Sequence, residues 1–571
     1  MTQDAFPNIS LLCAGKDVSE RLLALTVVRE AGRIPFARAV LSLDLAQEKA
    51  EFTPGDEGEI KAKIADKTVV CFKGIINSVG FRLRGNVRQL HVEIRDKCHS
   101  LTLALRTRLF LDKSDSDICK EICSEHGIAT DFPQTGVKHA QIQQACCSDW
   151  DFLCSRLRAN GLVPLVTDGK ISAHAPDKAA SSSTLTLNGD DELVTELELR
   201  SESRAWLQKA TVRAWDAAKQ KEFEQSCTAD QPSLPGNVKP TGKTELEILF
   251  PRMLEKPEAE ALAKGMLQQF TLGFLCGRVS LHSYAEASPG DTLQLKNFAG
   301  FADGQAIIWA SRLEMRPGRC SLDIQFGHDI WEAALRSSPS SAASRQGEAQ
   351  QLQGLYPGKV LKISEDPEQG ERIQVHLPLL HKEGKGVWAR LTTLYAGKGR
   401  GVIFRPEKDD EVLLGFLGGD PRAPVILGAL PSKANAAPDI LAAKDEKNSI
   451  KGFVSKNGLQ LLFNEEDKSI SLETPAGQRL RLDDKEGLAS LADKNNNTLI
   501  MDKNGICLKS GKDIVLDAKG NITIKAAQKL NAEALQAAMD AKQSLTLSGK
   551  ATAELKADGI LTIKGGLVKI N

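Results

Sequence analysis

Residues 504–525 read Asn-Gly-Ile-Cys-Leu-Lys-Ser-Gly-Lys-Asp-Ile-Val-Leu-Asp-Ala-Lys-Gly-Asn-Ile-Thr-Ile-Lys. Ile506, Ile514 and Ile522 fall eight residues apart, and Leu530 continues the series. Leu508, Leu516, Ile524 and Ala532 make a second column two residues along, and Met539, Leu547, Leu555 and Ile563 resume the interval after a one-residue shift. Between the columns lie turn residues: Gly511, Gly520-Asn521, Gly549 and Asp558-Gly559. Two apolar positions on one face, a turn and a repeat describe a short strand that advances and bends at a fixed step. One chain that makes a strand every eight residues cannot enclose its own apolar face. Three chains wound together can, each supplying one side of a thin prism; a flat sheet or an ordinary β-solenoid is the alternative.

The distribution of rings agrees with a narrow axis. The chain has 571 residues and 28 aromatics, of which only Phe453 and Phe463 lie in the last 122 positions. Rings are the bulkiest core fillers, so the tail buries its aliphatics in something too thin for them. The whole chain is 41% hydrophobic and 26% charged, which suits folded protein and excludes wholesale disorder. Its length predicts about three or four domains. Lys+Arg 74 balance Asp+Glu 74, which argues against a chain built to coat nucleic acid or an acidic membrane. The tail carries 18 basic and 15 acidic residues, a charge of +3 that three parallel copies tolerate.

Met1-Thr-Gln-Asp-Ala-Phe-Pro-Asn8 lacks the basic and apolar segments of a secretory signal, and no run of about 18 apolar residues predicts a membrane-spanning helix. The twelve cysteines are scattered and read as reduced, mostly buried thiols of a protein made in the cytoplasm. Residues 1–335 read as a strand-rich region with a few helices. Arg88–Arg95 and Thr292–Lys296 alternate as half-buried strands, and Asp117–His126 is amphipathic and stopped by Gly127. Residues 336–349 are a linker by composition, 350–431 form a block of short strands the size of a small β-barrel, and 432–449 connect it to the tail at 450–571.

The middle block resembles the VgrG family, the spike proteins of type VI secretion and related contractile injection machines, which are similar to the hub and puncturing needle of contractile phage tails. The matching run passes Gly358-Lys-Val360, Arg372-Ile-Gln-Val-His-Leu-Pro378, Val387-Trp-Ala-Arg390, Asp410-Glu-Val-Leu-Leu-Gly-Phe416 and Gly419-Asp-Pro-Arg-Ala-Pro-Val-Ile-Leu-Gly428. It continues through Ser455-Lys-Asn-Gly-Leu459, Thr474-Pro-Ala-Gly-Gln478 and Asp502-Lys-Asn-Gly-Ile506 to Gly566-Leu-Val-Lys-Ile-Asn571, and more weakly upstream at Ser148-Asp-Trp-Asp-Phe-Leu153.

The resemblance implies a mainly β fold with some α: phage-hub-like β-barrel domains in 1–335, an OB-fold barrel in 350–431, and a C-terminal triple-stranded intertwined β-helix in 450–571. It implies a homotrimer with a tail-tube (Hcp-like) protein at the hub base and a small cone-shaped PAAR-type tip seated on Gly565, Gly566, Leu567, Val568, Lys569, Ile570 and Asn571. Baseplate components and effector cargo are the other implied partners, with the target membrane met only during puncture. Export follows contraction rather than a signal peptide. The barrel's family motif falls on Trp388, Arg390, Gly419, Asp420 and Pro421. The needle core is expected from Ile506, Leu508, Ile514, Leu516, Ile522, Ile524, Leu530, Leu547, Leu555 and Ile563. A phage or tailocin baseplate hub is the nearest alternative machine, and a cell-wall hydrolase with an unrecognised site the alternative class.

Searches for chemistry point to a non-enzyme without cofactor or metal. Gly236–Thr244 nearly spells a phosphate loop but spaces its glycines by five residues and includes a proline. Cys119, Cys123 and His126 share one stripe of a helix, yet a zinc site needs a fourth ligand. The set Lys382, Lys385, Arg390, Lys398, Arg400 and Arg405, interleaved with Trp388, Tyr395 and Phe404, invites a nucleic-acid reading. Asp409-Asp-Glu411 follows directly, so a mixed solvated surface is expected. Glu465-Glu-Asp467 sits on a turn and predicts a solvated corner rather than a glycosidase pair. The 16 residues between Pro431 and Asn448 leave no room for a lysozyme domain, and the ending at Asn571 predicts that any toxin travels as a separate chain.

Overall fold

The structure, a computed structural model, describes residues 8–43, 52–64, 67–176, 179, 183–202, 207–228, 244–250, 252–298, 303–328, 352, 354–380, 386–442 and 446–570. The 336–349 linker and the Gly236–Lys243 loop lie outside them. The chain divides into two compact units, Met1–Ala437 and Pro438–Asn571.

Period-two alternation builds the first unit. In Phe36–Ser42, Ala37, Ala39 and Leu41 point inward while Arg38 and Val40 point out. Val87–Arg95 pairs with it so that Leu90, Val92 and Ile94 join the same face. Such strands assemble a 13-stranded sheet whose inner face buries Leu11, Val27, Ile60, Ile76, Leu313 and Phe326. Thr292–Lys296 is one of its strands, as the alternation predicts.

Two smaller layers interrupt this sheet. Helices α1 (Asp115–Glu125) and α2 (Asp149–Ala159) pack over Cys98, Phe110, Ile142 and Ile171. Each starts at a serine: Ser114 accepts from the Asp117 N–H and Ser148 from the Asp151 N–H, satisfying amides the first turn leaves open. Gly127, at φ 62°, closes the turn after α1 where the sequence stop stands. Helix α3 (Lys256–Thr271) covers a three-stranded sheet through Ala259, Leu262, Ala263, Met266 and Phe270.

The expected barrel is present. Tyr356–Lys362, Ile373–His376, Val387–Leu391, Glu411–Phe416 and Pro424–Ala429 close on one another, which leaves no open edge. Val360, Ile373, Val375, Val387, Ala389, Val412, Leu414 and Ile426 fill it, each fully shielded from solvent.

In the second unit the tail differs in detail from the eight-residue reading. From Ile450 to Lys509 it is a seven-stranded antiparallel meander in which each five-residue strand pairs with the one before it. The cause is local: Gly458 (φ 78°) and Gly477 (φ 83°) supply the positive φ that Ser455-Lys-Asn-Gly and Thr474-Pro-Ala-Gly need to reverse the chain. The eight-residue advance begins only beyond this sheet. There the chain bends at 511/512, 519/520, 527/528 and 535/536, then at 542/543, 550/551, 558/559 and 566/567. One interval, from 535 to 542, is seven residues long.

That interval reassigns the restart. Counted back from it, Met539, Leu547, Leu555 and Ile563 extend the Leu508 column, and Ala537, Leu545, Ala553 and Leu561 extend the Ile506 column.

Ile426→Ala should destabilise the barrel by about 2–5 kcal/mol, because the closed strands cannot collapse onto the lost volume. Chemical denaturation of the full chain, followed by hydrogen exchange of the barrel strands Val387–Leu391 and Glu411–Phe416, checks this.

Candidate functional site

The polar side chains most deeply committed in the first unit lie where the barrel meets the N-terminal domains. The barrel reaches across in three ways. Ala145, buried, and Leu109 pack into the barrel's own core from the antiparallel strand pair Leu105–Ser114/Lys138–Ser148. The Trp388 N–H donates to Gln141 Oε1 at 3.4 Å. The third link is a four-residue ion network.

The family motif Gly419-Asp-Pro-Arg422 makes that network. Gly418 and Gly419 take φ 61° and 77°, turning the chain so that Asp420 points inward at 3% exposure. Its carboxylate accepts from Arg252 Nε at 2.8 Å, from the Arg422 N–H at 2.9 Å and from Arg422 Nε at 3.1 Å. Glu258, in the first turn of α3, accepts from Arg422 Nη1 at 2.8 Å and from Arg252 Nη2 at 3.3 Å. Two carboxylates therefore alternate with two guanidiniums, each arginine forking between both acids. Burial opposes the charge on Asp420, but Arg422 and Arg252 outweigh it and hold the carboxyl well below the usual range. The same arginines lower Glu258 against its burial, and the two acids raise Arg422.

A second cluster adjoins it. Arg156 donates to both oxygens of Asp115 at 2.6 and 3.0 Å, Asn160 donates to Oδ2 at 2.8 Å, and His139 Nε2 lies 3.2 Å from it. Burial would raise Asp115, yet Arg156 and His139 depress it. His139 and Arg156 also lower Glu258, so the two clusters act on each other. The network fixes the barrel to α3 with directional, charge-assisted bonds, as a rigid joint requires.

The other sequence candidates separate. Of the motif residues, Pro421 is buried beside Asp420, Trp388 makes the backbone bond to Gln141, and Arg390 is exposed, tied to the network by chain alone. Cys119 and Cys123 are core thiols, the latter pushed up to about 12 by burial, while His126 turns away to Asp149 at 3.0 Å. No group of metal-holding side chains gathers among the described residues.

On the barrel, Arg405 pairs with Glu371 at 2.7 Å and Arg400 lies over Tyr395, while Lys382 and Lys385 lie outside the described residues. Glu465, Glu466 and Asp467 each turn to a different lysine, namely Lys451, Lys447 and Lys485. Needle-core positions from Ile506 to Ile563 are all exposed within one chain. So are Gly565 to Ile570 at its end; Asn571 lies outside the described residues. Sequence reasoning missed Arg252 and Glu258, the far halves of the network, because nothing local marks a partner 168 residues away from Asp420.

A sheet-built N-terminal region, a closed OB barrel docked on it and a strand-repeat tail define a VgrG-like spike chain, similar to phage hub-and-needle proteins. Residues 3–313 match the Alg8 N-terminal domain family, and the chain belongs to it. Residues 356–430 match the type VI secretion system/phage-baseplate injector OB domain. Among curated relatives, Type VI secretion system spike protein VgrG1a of Pseudomonas aeruginosa is 30% identical over 121 residues, 21% of this chain and 17% of that protein. Spike protein VgrG4b of the same organism is 34% identical over 92 residues, 15% of this chain and 11% of its own length. The matched stretches thus span less than a fifth of these relatives. The solved Francisella PdpA-VgrG complex, lidded form, matches at TM-score 0.52 and 13% identity, over 88% of this chain and 79% of that one, which shows a shared fold. No helix of the described residues is long and apolar enough to cross a membrane.

Asp420→Ala leaves two buried guanidiniums with Glu258 as their one remaining carboxylate in the joint and should cost about 3–5 kcal/mol in thermal or denaturant unfolding. The acids of the joint are depressed, so their stabilisation is fully present above about pH 4 and fades as the pH falls below it. Asp420→Asn should flatten that acid limb in unfolding curves recorded from pH 6 to pH 2.

Proposed function

We propose that the chain is a non-enzymatic homotrimeric spike of a contractile injection machine. Residues 1–335 form the hub, 350–431 the collar and 450–571 the needle that punctures the target envelope and delivers effectors. The observation that carries this reading is the pair of aliphatic columns from Ile506 to Ile563. They repeat on one face every eight residues, they are exposed in a single chain, and an apolar stripe of that length in water demands cover. Two further copies supply it with the same stripe, which accounts for the exclusion of rings. Apolar side chains on the barrel's hairpin flank, Leu394 (93% exposed) and Phe404 (67%), suit a second contact between copies higher up.

In this assembly the needle carries compression. Each rung is tied to two other chains, so opening one rung breaks contacts in all three. The buried ion joint at Asp420 passes the load from collar to hub without rotation. The hub base meets a ring of tail-tube protein, baseplate components surround it, and the Gly565–Asn571 end presents a blunt platform to a PAAR-type tip. Export follows contraction from the cytoplasm where the chain assembles. A phage or tailocin hub uses the same architecture, and the genes flanking this one distinguish the machines.

Light scattering of the purified full chain should report the mass of three chains, and a stable monomer would sink the reading. Ile522→Asp together with Leu516→Asp places six carboxylates on the proposed axis. These changes should shift that mass toward one chain, or lower the melting temperature by more than 10 °C if the hub still holds. A zymogram that clears cell wall with the full chain but not with the tail alone would overturn the non-enzyme reading.

A further inference from the structure

The large sheet buries one face in its core, and the opposite face carries a groove of about 540 Å³. The groove crosses five neighbouring strands: Gly304–Arg316, Leu22–Glu30, Phe36–Ser42, Val87–Arg95 and Lys67–Arg84. Register sorts its side chains into two rows. In the first, Ala24 pairs with Val40 and Val40 with His91, and Arg316 follows the Met315↔Leu25 pair at the near end. In the second, Glu314 pairs with Thr26, Thr26 with Arg38, Arg38 with Glu93 and Glu93 with Ser78.

The rows differ in chemistry. Charges in the second are matched: Arg38 Nε lies 2.9 Å from Glu93, and Glu314 pairs with Arg312. Burial opposes the charge on Glu93, but Arg38 and Arg95 outweigh it and hold the carboxyl below its usual range. Charges in the first row are not matched. Arg316 is exposed and meets no carboxylate among the described residues. His91 Nε2 is shielded from solvent and has no hydrogen-bond partner among them. Gly80, the neighbour of His91 on its far side, has no side chain to offer. A buried polar atom left unpaired is costly, so an acceptor brought from outside is favoured there.

We propose that this groove binds an extended acidic segment of a partner protein, one carboxylate on Arg316, a second on His91, and a small aliphatic residue between them over Ala24 and Val40. Spacing sets the sequence it takes. The strands of Arg316 and His91 are three steps apart, about 14 Å at the usual strand separation. In an extended peptide two residues of one face span about 13–14 Å when they are four positions apart. The expected motif is therefore Glu-x-Val-x-Glu, with its alternate side chains turned away from the sheet. Polarity agrees, because four guanidiniums around the groove, on Arg38, Arg95, Arg312 and Arg316, stand against the two carboxylates of Glu93 and Glu314. No Phe, Tyr or Trp lines the groove, so nucleic-acid bases would find nothing there to stack on. One copy carries the whole site, so the inference goes beyond the spike reading and does not depend on the trimer.

The test uses the full chain and a fluorescein-labelled peptide, Gly-Ser-Glu-Ser-Val-Ser-Glu-Ser-Gly, followed by fluorescence polarisation at low salt. The peptide should bind, and the same peptide with Gln for both Glu should bind roughly tenfold more weakly. His91→Phe should weaken the acidic peptide by about tenfold. Arg316→Glu, at an exposed position, should weaken it by about tenfold and favour a peptide with Lys in place of one Glu, a reversal that lost folding would not produce. Where His91→Phe lowers the melting temperature, the Arg316→Glu reversal decides. Absence of binding, equal binding of the Glu and Gln peptides, or an affinity that Arg316→Glu leaves unmoved overturns the proposal. Tighter binding of a labelled oligothymidine overturns it too, in favour of a nucleic-acid groove. A single-chain mass with peptide binding intact sinks the trimer and leaves this site standing.

Discussion

A strand of five to nine residues leaves one apolar face bare and a line of amides and carbonyls open on each side, and every part of this chain is an answer to that constraint. The barrel answers it by closing five strands on themselves. The first unit answers with a long sheet whose inner face is a shared core, and the meander from Ile450 to Lys509 pairs each strand with its predecessor. Beyond Gly511 no answer exists within one chain, and the aliphatic columns stand in water. The gradient from self-sufficient to dependent strands runs along the sequence and separates what folds alone from what waits for company.

Ion pairing serves a different end. Hydrophobic contact between the barrel and the N-terminal region, through Leu109 and Ala145, is small and without direction. The alternation of Asp420, Arg422, Glu258 and Arg252 adds direction, because each guanidinium plane fixes two carboxylates at once. Taking four charges out of water is costly, so this joint is better suited to specifying one orientation than to raising stability.

The barrel was legible in the sequence because its turn residues and strand spacing are local, and so was the aliphatic beat of the tail. The Asp420 motif could be recognised but not understood, since its meaning lies in Arg252 and Glu258, far off in the chain. The self-paired meander was hidden for another reason. Its strands carry apolar residues two apart, as the later rungs do, and turn residues at positive φ, among them Gly458, Gly477, Lys468 and Asn496, decide that the chain turns back rather than onward. The N-terminal sheet carries one bulged hairpin twice, Lys67–Arg84/Val87–Arg95 and Gly304–Arg316/Arg319–Phe326, with little shared identity beyond the preceding turns Thr53-Pro-Gly-Asp56 and Ser288-Pro-Gly-Asp291. Hydrogen-bond register preserves it, because a sheet tolerates any side chain that keeps its face.

In the proposed trimer, the short interval between the bends at 535 and 542 bears on how the three chains find one another. A strict eight-residue repeat is degenerate: chains slipped by one rung would bury nearly the same aliphatics. With one interval a residue short, a slipped chain sets a seven-residue span beside an eight-residue span, and every corner past that height falls out of step. A single missing residue thus acts as an alignment key, making one registration of three otherwise interchangeable ladders better than all the rest.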